Sequence, residues 1–340
     1  MTRFVVPEAS EATSPPEWRG FDRDDVRLLV ATPSRRALTR FRDLPRWLEP
    51  GDLLVVNTSG TLPAAVDGQY RGRTLPVHIA GELEDGDWVV ELRRPDGMGW
   101  QDDAAPGEHV QLPGGVLLKL TWPYPDMNAL KSRLWRASTT PEMRRIDYLC
   151  AYGRPITYGY VTENFPLSAY QTVYATEPGS AEMPSAGRPF THEILVRLMA
   201  RGVTVAPVLL HSGVSSPEAH EPPIPEQYAV PESTARLAAM TRANGHRVIA
   251  VGTTVVRALE SAVVDGVARP AQGWTDLILG PHRPAHVVSG LITGLHDPDS
   301  SHLQLLEAVA GKELVDAAYT AAVEHRMLWH EFGDSMVLLP

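Results

Sequence analysis

Val248-Ile249-Ala250-Val251-Gly252-Thr253-Thr254-Val255-Val256-Arg257 runs in ten residues from an apolar stretch, through a glycine, into the start of an amphipathic helix. The first four residues suit a buried strand, and the pattern from Thr253 onward suits a helix. A helix N-terminus leaves backbone N–H groups unpaired at the positive end of its dipole, and Gly252 lets an anion approach them closely. A carboxylate or phosphate held there gains about 0.3–1 kcal/mol from the dipole alone. An ordinary threonine-capped helix would look the same in sequence. No Gly-Lys-Ser/Thr follows and no Gly-x-Gly-x-x-Gly is formed, so the turn is neither a Walker loop nor a dinucleotide fingerprint.

On both sides of this unit strands and helices alternate. Glu193 to Arg201 reads as an amphipathic helix closed by Gly202, and Val203 to Leu210 as a β-branched strand. Ser233 is placed to cap a helix ending at Asn244-Gly245, Arg247 to Val251 is the next strand, and Thr253 to Val264 a helix closed by Gly266. Thr275 to Leu279 reads as a strand, His302 to Val309 and Glu313 to Arg326 as helices, and Met336 to Leu339 as a last strand. Near the N-terminus, Val26 to Val30 and Asp52 to Asn57 are apolar runs fit for buried strands, with one helix between them over Arg40 to Leu48. Such alternation predicts an α/β layer of largely parallel strands.

One region breaks the rhythm. From Val66 to Trp122, segments of about five apolar residues alternate with turn signals such as Asp85-Gly86 and Pro113-Gly114-Gly115, the texture of a small antiparallel barrel. The expectation is a mixed α and β protein: an α/β main domain over residues 1–62 and 150–340, carrying the active site, with an inserted all-β, barrel-like domain over 63–149. Residues 123–165 carry Lys131, Arg133, Arg136, Arg144 and Arg145, which form either a solvated face or an RNA-phosphate patch.

Composition narrows the function classes. With 340 residues, 43% apolar and 21% charged, the chain has the make-up of a globular protein of about two domains. A formal charge of −10 opposes broad adhesion to nucleic acid or anionic membrane, while leaving room for a local basic patch. Cys150 is the only cysteine, so neither an internal disulfide nor a thiolate metal cluster can form. The first residues lack the apolar run of a signal peptide, and no uncharged stretch reaches the roughly 18 residues of a membrane span. A cytoplasmic protein without membrane contact is expected.

Few side chains stand out for chemistry. His211 follows the strand Val208-Leu209-Leu210, and His296 lies in Thr293-Gly294-Leu295-His296-Asp297, just before a helix. Ligands of open α/β sheets gather beyond the carboxyl ends of strands, which favours such histidines for contact or proton transfer, although a lone histidine is more often structural. His325 and His330 are five residues apart and do not share a helical face, so they do not suggest a metal pair. Asp334 after Gly333 suits a turn, or a carboxylate accepting ribose hydroxyls. His220 to Glu226 is too rich in proline for a helical zinc motif, and no Gly-x-Ser-x-Gly elbow occurs.

Six segments in order carry a resemblance: Gly51 to Thr58 with Pro63-Ala64, Tyr170-Gln171-Thr172-Val173-Tyr174-Ala175, Gly179-Ser180 through Pro184-Ser185-Ala186-Gly187 to Phe190, Val251 to Glu260, Thr293 to Gly311, and Gly333-Asp334. Together they resemble the bacterial S-adenosylmethionine:tRNA ribosyltransferase-isomerase family of queuosine biosynthesis. The resemblance implies that S-adenosylmethionine is a cosubstrate and that no cofactor is permanently bound. Its ribosyl group would pass to a 7-aminomethyl-7-deazaguanine already in tRNA, with adenine and methionine released. A base removes a proton from the 5′ carbon, which the neighbouring sulfonium acidifies, so the protein need supply only orientation, a base and an acid.

Carried over by position, His211 and His296 are the expected acid–base pair, Glu182 and Asp334 alternative carboxylates, and Tyr170 a positioning hydroxyl. Gly252, Thr253, Thr254, Arg257, Ser185 and Gly187 are expected to bind the cosubstrate, with Arg257 supporting either the ligand or Glu260. The chain departs from the family pattern at Arg188-Pro189-Phe190, Val214-Ser215-Ser216, Pro223-Ile224 and Gly294-Leu295-His296-Asp297. A small-molecule acceptor and a noncatalytic ligand- or RNA-binding paralogue stay open as alternatives.

Overall fold

The apolar runs of the N-terminal and C-terminal parts assemble into one large sheet, and the strand-and-turn region closes on itself beside it. The computed structural model describes residues 2–96, 99–161, 163–214, 223–298 and 300–340. The segments Val214 to Ser216 and His220 to Glu226 fall partly outside these.

Among the described residues the strands are β1 (Arg27–Ala31), β2 (Arg36–Arg40), β3 (Leu53–Asn57), β4 (Ser59–Thr61), β5 (Ala65–Tyr70), β6 (Arg73–Glu82), β7 (Trp88–Leu92), β8 (His109–Leu112), β9 (Val116–Tyr124), β10 (Leu134–Thr140), β11 (Glu177–Ser180), β12 (Thr204–Leu210), β13 (Glu226–Val230), β14 (Val248–Val251), β15 (Val263–Val264), β16 (Val267–Ala268), β17 (Ala271–Thr275), β18 (Gly290–Thr293) and β19 (Ser335–Leu338). The helices are α1 (Arg145–Tyr152), α2 (His192–Ala200), α3 (Glu232–Ala243), α4 (Thr253–Ser261), α5 (His302–Ala310) and α6 (Lys312–Glu324).

The large sheet has the order β17-β13-β12-β3-β14-β18-β19-β1-β2. Among its inner strands is β3, every residue of which is buried. It pairs in parallel with β12 through Val55↔Ala206 and with β14 through Val55↔Ala250. Strands covered on both faces need no polar alternation, which is why Leu53-Leu54-Val55-Val56 reads as a continuous apolar run. Helices α4 to α6 pack their apolar sides against one face, while Phe41, Leu44, Phe190, Ile194 and Leu198 cover the other.

The expectation of largely parallel strands needs correction. The sheet is mixed: β12, β3, β14 and β18 run parallel, but β13, β17 and β2 add on antiparallel, and β19 is parallel to β1 and antiparallel to β18. Local boundaries shift for identifiable reasons. Phe41–Arg46 is a 3-10 turn because Pro45 lies inside it. Helix α3 starts after Pro231 with no side-chain cap from Ser233. Helix α4 stops at Ser261, and the next residues form the β15–β16 hairpin, turned by Asp265 at φ 51° and Gly266 at φ 76°. The strand expected at Thr275 to Leu279 ends at Thr275, whose Oγ1 accepts the Leu277 N–H at 3.1 Å and bends the chain away.

Strands β5 to β10 form a closed barrel in the order β10-β7-β6-β5-β8-β9. Closure removes the exposed edges that such short strands would otherwise present. Burial alternates along β9, where Val116, Leu118 and Leu120 point inward and Leu117 and Lys119 outward. The barrel core does not end at the barrel: Tyr148 and Leu149 of α1, then Ile156, Ala181, Val214 and Ile224 from connecting segments, belong to the same apolar cluster. Those segments join barrel to sheet, so the barrel sits against the mouth of the sheet.

Helix α4 is tied down at its far end by Glu260, 2% exposed, whose carboxylate accepts the N–H groups of His286, Val287 and Val288 at 2.8, 2.8 and 2.9 Å. Leaving such donors buried and unpaired costs about 1–3 kcal/mol each. Replacement Glu260→Ala should therefore lower the unfolding free energy by about 3 kcal/mol, read as a shift of the urea midpoint, whereas a change below about 0.5 kcal/mol, the range of ordinary surface substitutions, would show that the loop re-pairs without it.

Candidate active site

The parallel strands β12, β14 and β18 end on one side of the sheet, and a cavity of about 430 Å³ opens there between their carboxyl ends and the barrel. Ser212 and Gly213 follow β12, Gly252 to Thr254 follow β14, and Gly294 to Asp297 follow β18, and all of them line it. Pockets of roughly 300–1,000 Å³ accept ligands of nucleoside size and above.

On the first wall Gly252 turns the chain at φ 92°, ψ 158°, a conformation that L side chains rarely adopt, and delivers the N-terminus of α4 to the cavity. Ala186 lies beside this turn, its Cβ 3.5 Å from where a Cβ on Gly252 would stand, an ordinary contact, so it is the backbone angle that calls for glycine. Thr254 Oγ1 accepts from Asn57 Nδ2 at 3.3 Å. Asn57 also bonds both backbone groups of Leu210, at 2.8 and 3.0 Å, and so fixes the ends of β3 and β12 against the helix start.

One turn on, Arg257 is 6% exposed. Its guanidinium pairs with Glu226 and donates to the carbonyls of Thr275, Ile224 and Leu277 at 3.0, 3.2 and 3.3 Å. The expected link to Glu260 is corrected by this geometry, because the Glu260 carboxylate faces the backbone of 286–288. Glu226 also accepts the Gly213 N–H at 2.9 Å; burial raises its pKa, and the Arg257 charge opposes that rise.

The second wall is a run of phenols over carboxylates. The Tyr158 hydroxyl donates to Glu182 and the Tyr160 hydroxyl to Glu331. The two tyrosine rings lie 6.1 Å apart at 22°, and His330 stacks on Tyr160 at 4.2 Å and 12°. Burial pushes both phenols upward, so they remain donors throughout the physiological range. Burial also raises Glu331, against the hydrogen bond from Tyr160. The Tyr170 and Ser212 hydroxyls are buried at this wall without a hydrogen-bond partner. Burial pushes Tyr170 up to about 12.

On the third wall His296 and His302 stack at 4.6 Å and 6°. His296 Nε2 lies 2.9 Å from Thr293 Oγ1, and His302 Nδ1 2.9 Å from Ser300 Oγ. Burial, then the neighbouring imidazoles, hold His296 well below its ordinary value; burial, then Arg257, hold His302 near about 4. Both rings are neutral at pH 7. Where barrel meets cavity, the lining Arg133 and the nearby Arg93 and His78 converge on the buried Glu91 at 3.1, 3.3 and 3.2 Å. Burial would raise Glu91, but His78, Arg133 and Arg93 outweigh it and hold it at about 2.

The structure brings Glu182, Ser185, Tyr170, Gly252, Thr253, Thr254, Arg257 and His296 to one cavity. His211, Asp334 and Gly187 stand behind it. His211 Nδ1 lies 2.7 Å from Ser59 Oγ, which is 2.6 Å from Ser180 Oγ, and Ser180 accepts the N–H of the lining Ser212 at 2.9 Å. Asp334 accepts from Arg27 N and Nε at 2.8 and 2.9 Å and from Leu328 N at 2.7 Å, which fastens both ends of the segment that carries His330 and Glu331. Gly187 packs under the Tyr174 hydroxyl, where a Cβ would not fit. Sequence reasoning did not select Tyr158, Tyr160, Glu226, His302 or Glu331. They come from the irregular segments around 158 and 331 and from the starts of β13 and α5, where no local pattern marks them out. Among the described residues no group of three or more His, Cys, Asp and Glu is arranged to hold a metal ion.

A family model described as queuosine biosynthesis protein matches residues 2–338. The S-adenosylmethionine:tRNA ribosyltransferase-isomerase of Moorella thermoacetica is 34% identical, covering 99% of this chain and 98% of that one. The protein of the same name from Thermus thermophilus is 36% identical over 93% of each. The crystal structure of S-adenosylmethionine tRNA ribosyltransferase from Thermotoga maritima aligns over 99% of both chains at 29% identity, with a TM-score of 0.54. The family model spans all but the first and the last two residues, and the chain belongs to the queuosine biosynthesis protein family.

Proposed function

We propose that the cavity binds S-adenosylmethionine and transfers and isomerises its ribosyl group onto a 7-aminomethyl-7-deazaguanine in tRNA, giving epoxyqueuosine and releasing adenine and methionine. Full-length relatives bearing the ribosyltransferase-isomerase name support the reaction. The observation that carries it to this cavity is the meeting of a helix N-terminus, two unpartnered buried hydroxyls and half-buried carboxylates around a space of nucleoside size. S-adenosylmethionine is consumed as a cosubstrate. A reaction on tRNA fits a cytoplasmic enzyme.

In this reading Gly252, Thr253 and Thr254 receive the carboxylate or ribose hydroxyls of the cosubstrate, with Ser185 beside them, because the positive end of the α4 dipole and the threonine side chains border the cavity there. Tyr170 donates its free hydroxyl to the ligand. His296 is the proton carrier: its ring is neutral, and Thr293 fixes its orientation. Glu182, under Tyr158, is the carboxylate alternative. Arg257 braces the wall through Glu226. His211 and Asp334 act at one remove, the first through the Ser59–Ser180–Ser212 chain and the second by fixing the loop of Glu331.

The reaction is tested by incubating the protein with S-adenosylmethionine and tRNA carrying the aminomethyl base. Adenine and methionine should appear in equal amounts as the RNA gains mass; absence of adenine would sink the reading. Thr254→Ala should raise KM about tenfold with kcat nearly unchanged, the signature of lost ground-state binding. His296→Gln should lower kcat by about 10²–10⁴, and a loss of less than threefold would remove His296 from the chemistry.

His211 supplies a pH prediction. Burial, then Arg145, lowers it from 6.5 to about 4. The unfolded chain therefore binds the extra proton first, so the stability tied to His211 is complete above pH 6.5 and is lost as pH falls toward 4. Urea midpoints of His211→Asn should fall less steeply than those of the wild type across that window. Parallel slopes would show that His211 is not the group titrating.

A further inference from the structure

The cavity wall is unevenly charged. Its lining holds four carboxylates, Glu182, Glu226, Asp297 and Glu331, and two guanidiniums, Arg133 and Arg257. Arg257 is taken by Glu226, and Arg133 by Glu91 behind the wall. Burial lowers the pKa of all three lining histidines, His296, His302 and His330, and so disfavours positive charge on them. Within this acidic wall Glu331 differs from Glu226: among the described residues no cation pairs with it, and its hydrogen-bond partner is the neutral phenol of Tyr160. A buried carboxylate without a counter-charge is costly, and that cost falls when a cation is brought to it.

Its position is as informative as its charge. Glu331, Ser185 and Gly294 border one small recess as well as the main cavity. Gly294 lies over Ser185, with its Cβ direction 3.9 Å from Ser185 Oγ, and the adjoining Ala186 packs on Gly252 at the start of α4. Glu331 therefore borders the same ligand space as the helix N-terminus, with the Tyr170 hydroxyl nearby; the Tyr170 ring packs on Phe332 at 5.2 Å. A ligand with an anionic group on one side and a positive centre a few bonds away would span this arrangement. The side chain is also held still. Tyr160 is clamped by His330 on its face, and Asp334 fixes the chain two residues beyond Phe332.

We infer that Glu331, oriented by the Tyr160 hydroxyl, is the seat of the positive sulfur of the cosubstrate and sets the preference of the cavity for a sulfonium over a neutral thioether. The assignment rests on the proposed function, because it takes S-adenosylmethionine as the ligand. It makes Glu331 a specificity-determining residue: the carboxylate attracts the trivalent sulfur and has no comparable hold on the same molecule without its methyl group. The acceptor amine is a second cation that the wall could receive, and the test separates the two.

The test is equilibrium binding, without turnover, of S-adenosylmethionine and of S-adenosylhomocysteine, which share every group except the charged sulfur. The wild type should bind the sulfonium at least about tenfold tighter. Glu331→Gln keeps an acceptor for Tyr160 and should bring the two affinities within about threefold by weakening the sulfonium alone. Tyr160→Phe, which leaves the carboxylate in place but loosens it, should reduce the preference partway. Equal weakening of both ligands by Glu331→Gln in a protein that melts like the wild type would mean a structural role and overturn the assignment. An unchanged preference, with only the affinity for the tRNA acceptor reduced, would move the carboxylate to the acceptor amine and overturn it equally. Failure of the wild type to bind either nucleoside would instead remove the proposed function itself.

Discussion

The guanidinium of Arg257 is the tie on which the site depends. It leaves α4 one turn beyond the helix start and reaches a carboxylate on β13 and three carbonyls from the segments around 224, 275 and 277. A buried ion pair of this kind contributes little net stability over an apolar replacement, yet removing one partner is severe, because it strands the other charge. What the pair does supply is position. It fixes the angle at which α4 presents Gly252 to Thr254, and through Glu226 and the Gly213 N–H it fixes the turn after β12. Asn57 holds the same corner from the sheet side. Two polar anchors thus set the distance between the helix N-terminus and the opposite wall, a distance that apolar packing alone would leave free to slide.

The opposite wall follows a different rule. Glu182 and Glu331 each accept from a phenol, and burial lowers the pKa of the histidines near them. Among the described residues no cation pairs with Glu331, so the charge balance at that point is left to the ligand. This suits a cosubstrate that carries its own electrophile: the protein has no need of a metal or an activated nucleophile when the reacting centre arrives charged, and its task is orientation in a site that favours that charge.

The elements easiest to read in the sequence were those whose local pattern agrees with their final surroundings. Val248 to Val251, Leu53 to Val56 and Val205 to Leu210 are apolar because they lie inside a sheet, and five-residue segments between glycine turns announce a barrel. Strand direction was less legible, since β13, β17 and β19 look the same in sequence whichever way they pair. The hairpin after Ser261 was masked by a helical pattern that runs on to Val264, and the left-handed residues Asp265 and Gly266 decide it. In the site, the segment after β14 could be read because a glycine between strand and helix has few other uses. His211 and Asp334 have the right residue types at strand ends, but only three-dimensional packing shows that their hydrogen bonds are spent behind the wall. Tyr158, Tyr160 and Glu331 come from irregular segments far apart in the chain, and no local signal foretells that each phenol will find its acid.

The shared apolar cluster of Ile156, Ala181, Val214 and Ile224 has an engineering consequence. These residues stand with one side in the barrel and the other in the cavity wall. A graft that exchanged only the strands between Ala65 and Thr140 with those of a relative would put foreign side chains against a native seam, and the misfit would be transmitted to Tyr158, whose ring borders His78 and Arg93. The transplantable unit is therefore the barrel together with the non-contiguous positions that plug it, and substitutions on either side of that seam should be inherited as matched sets.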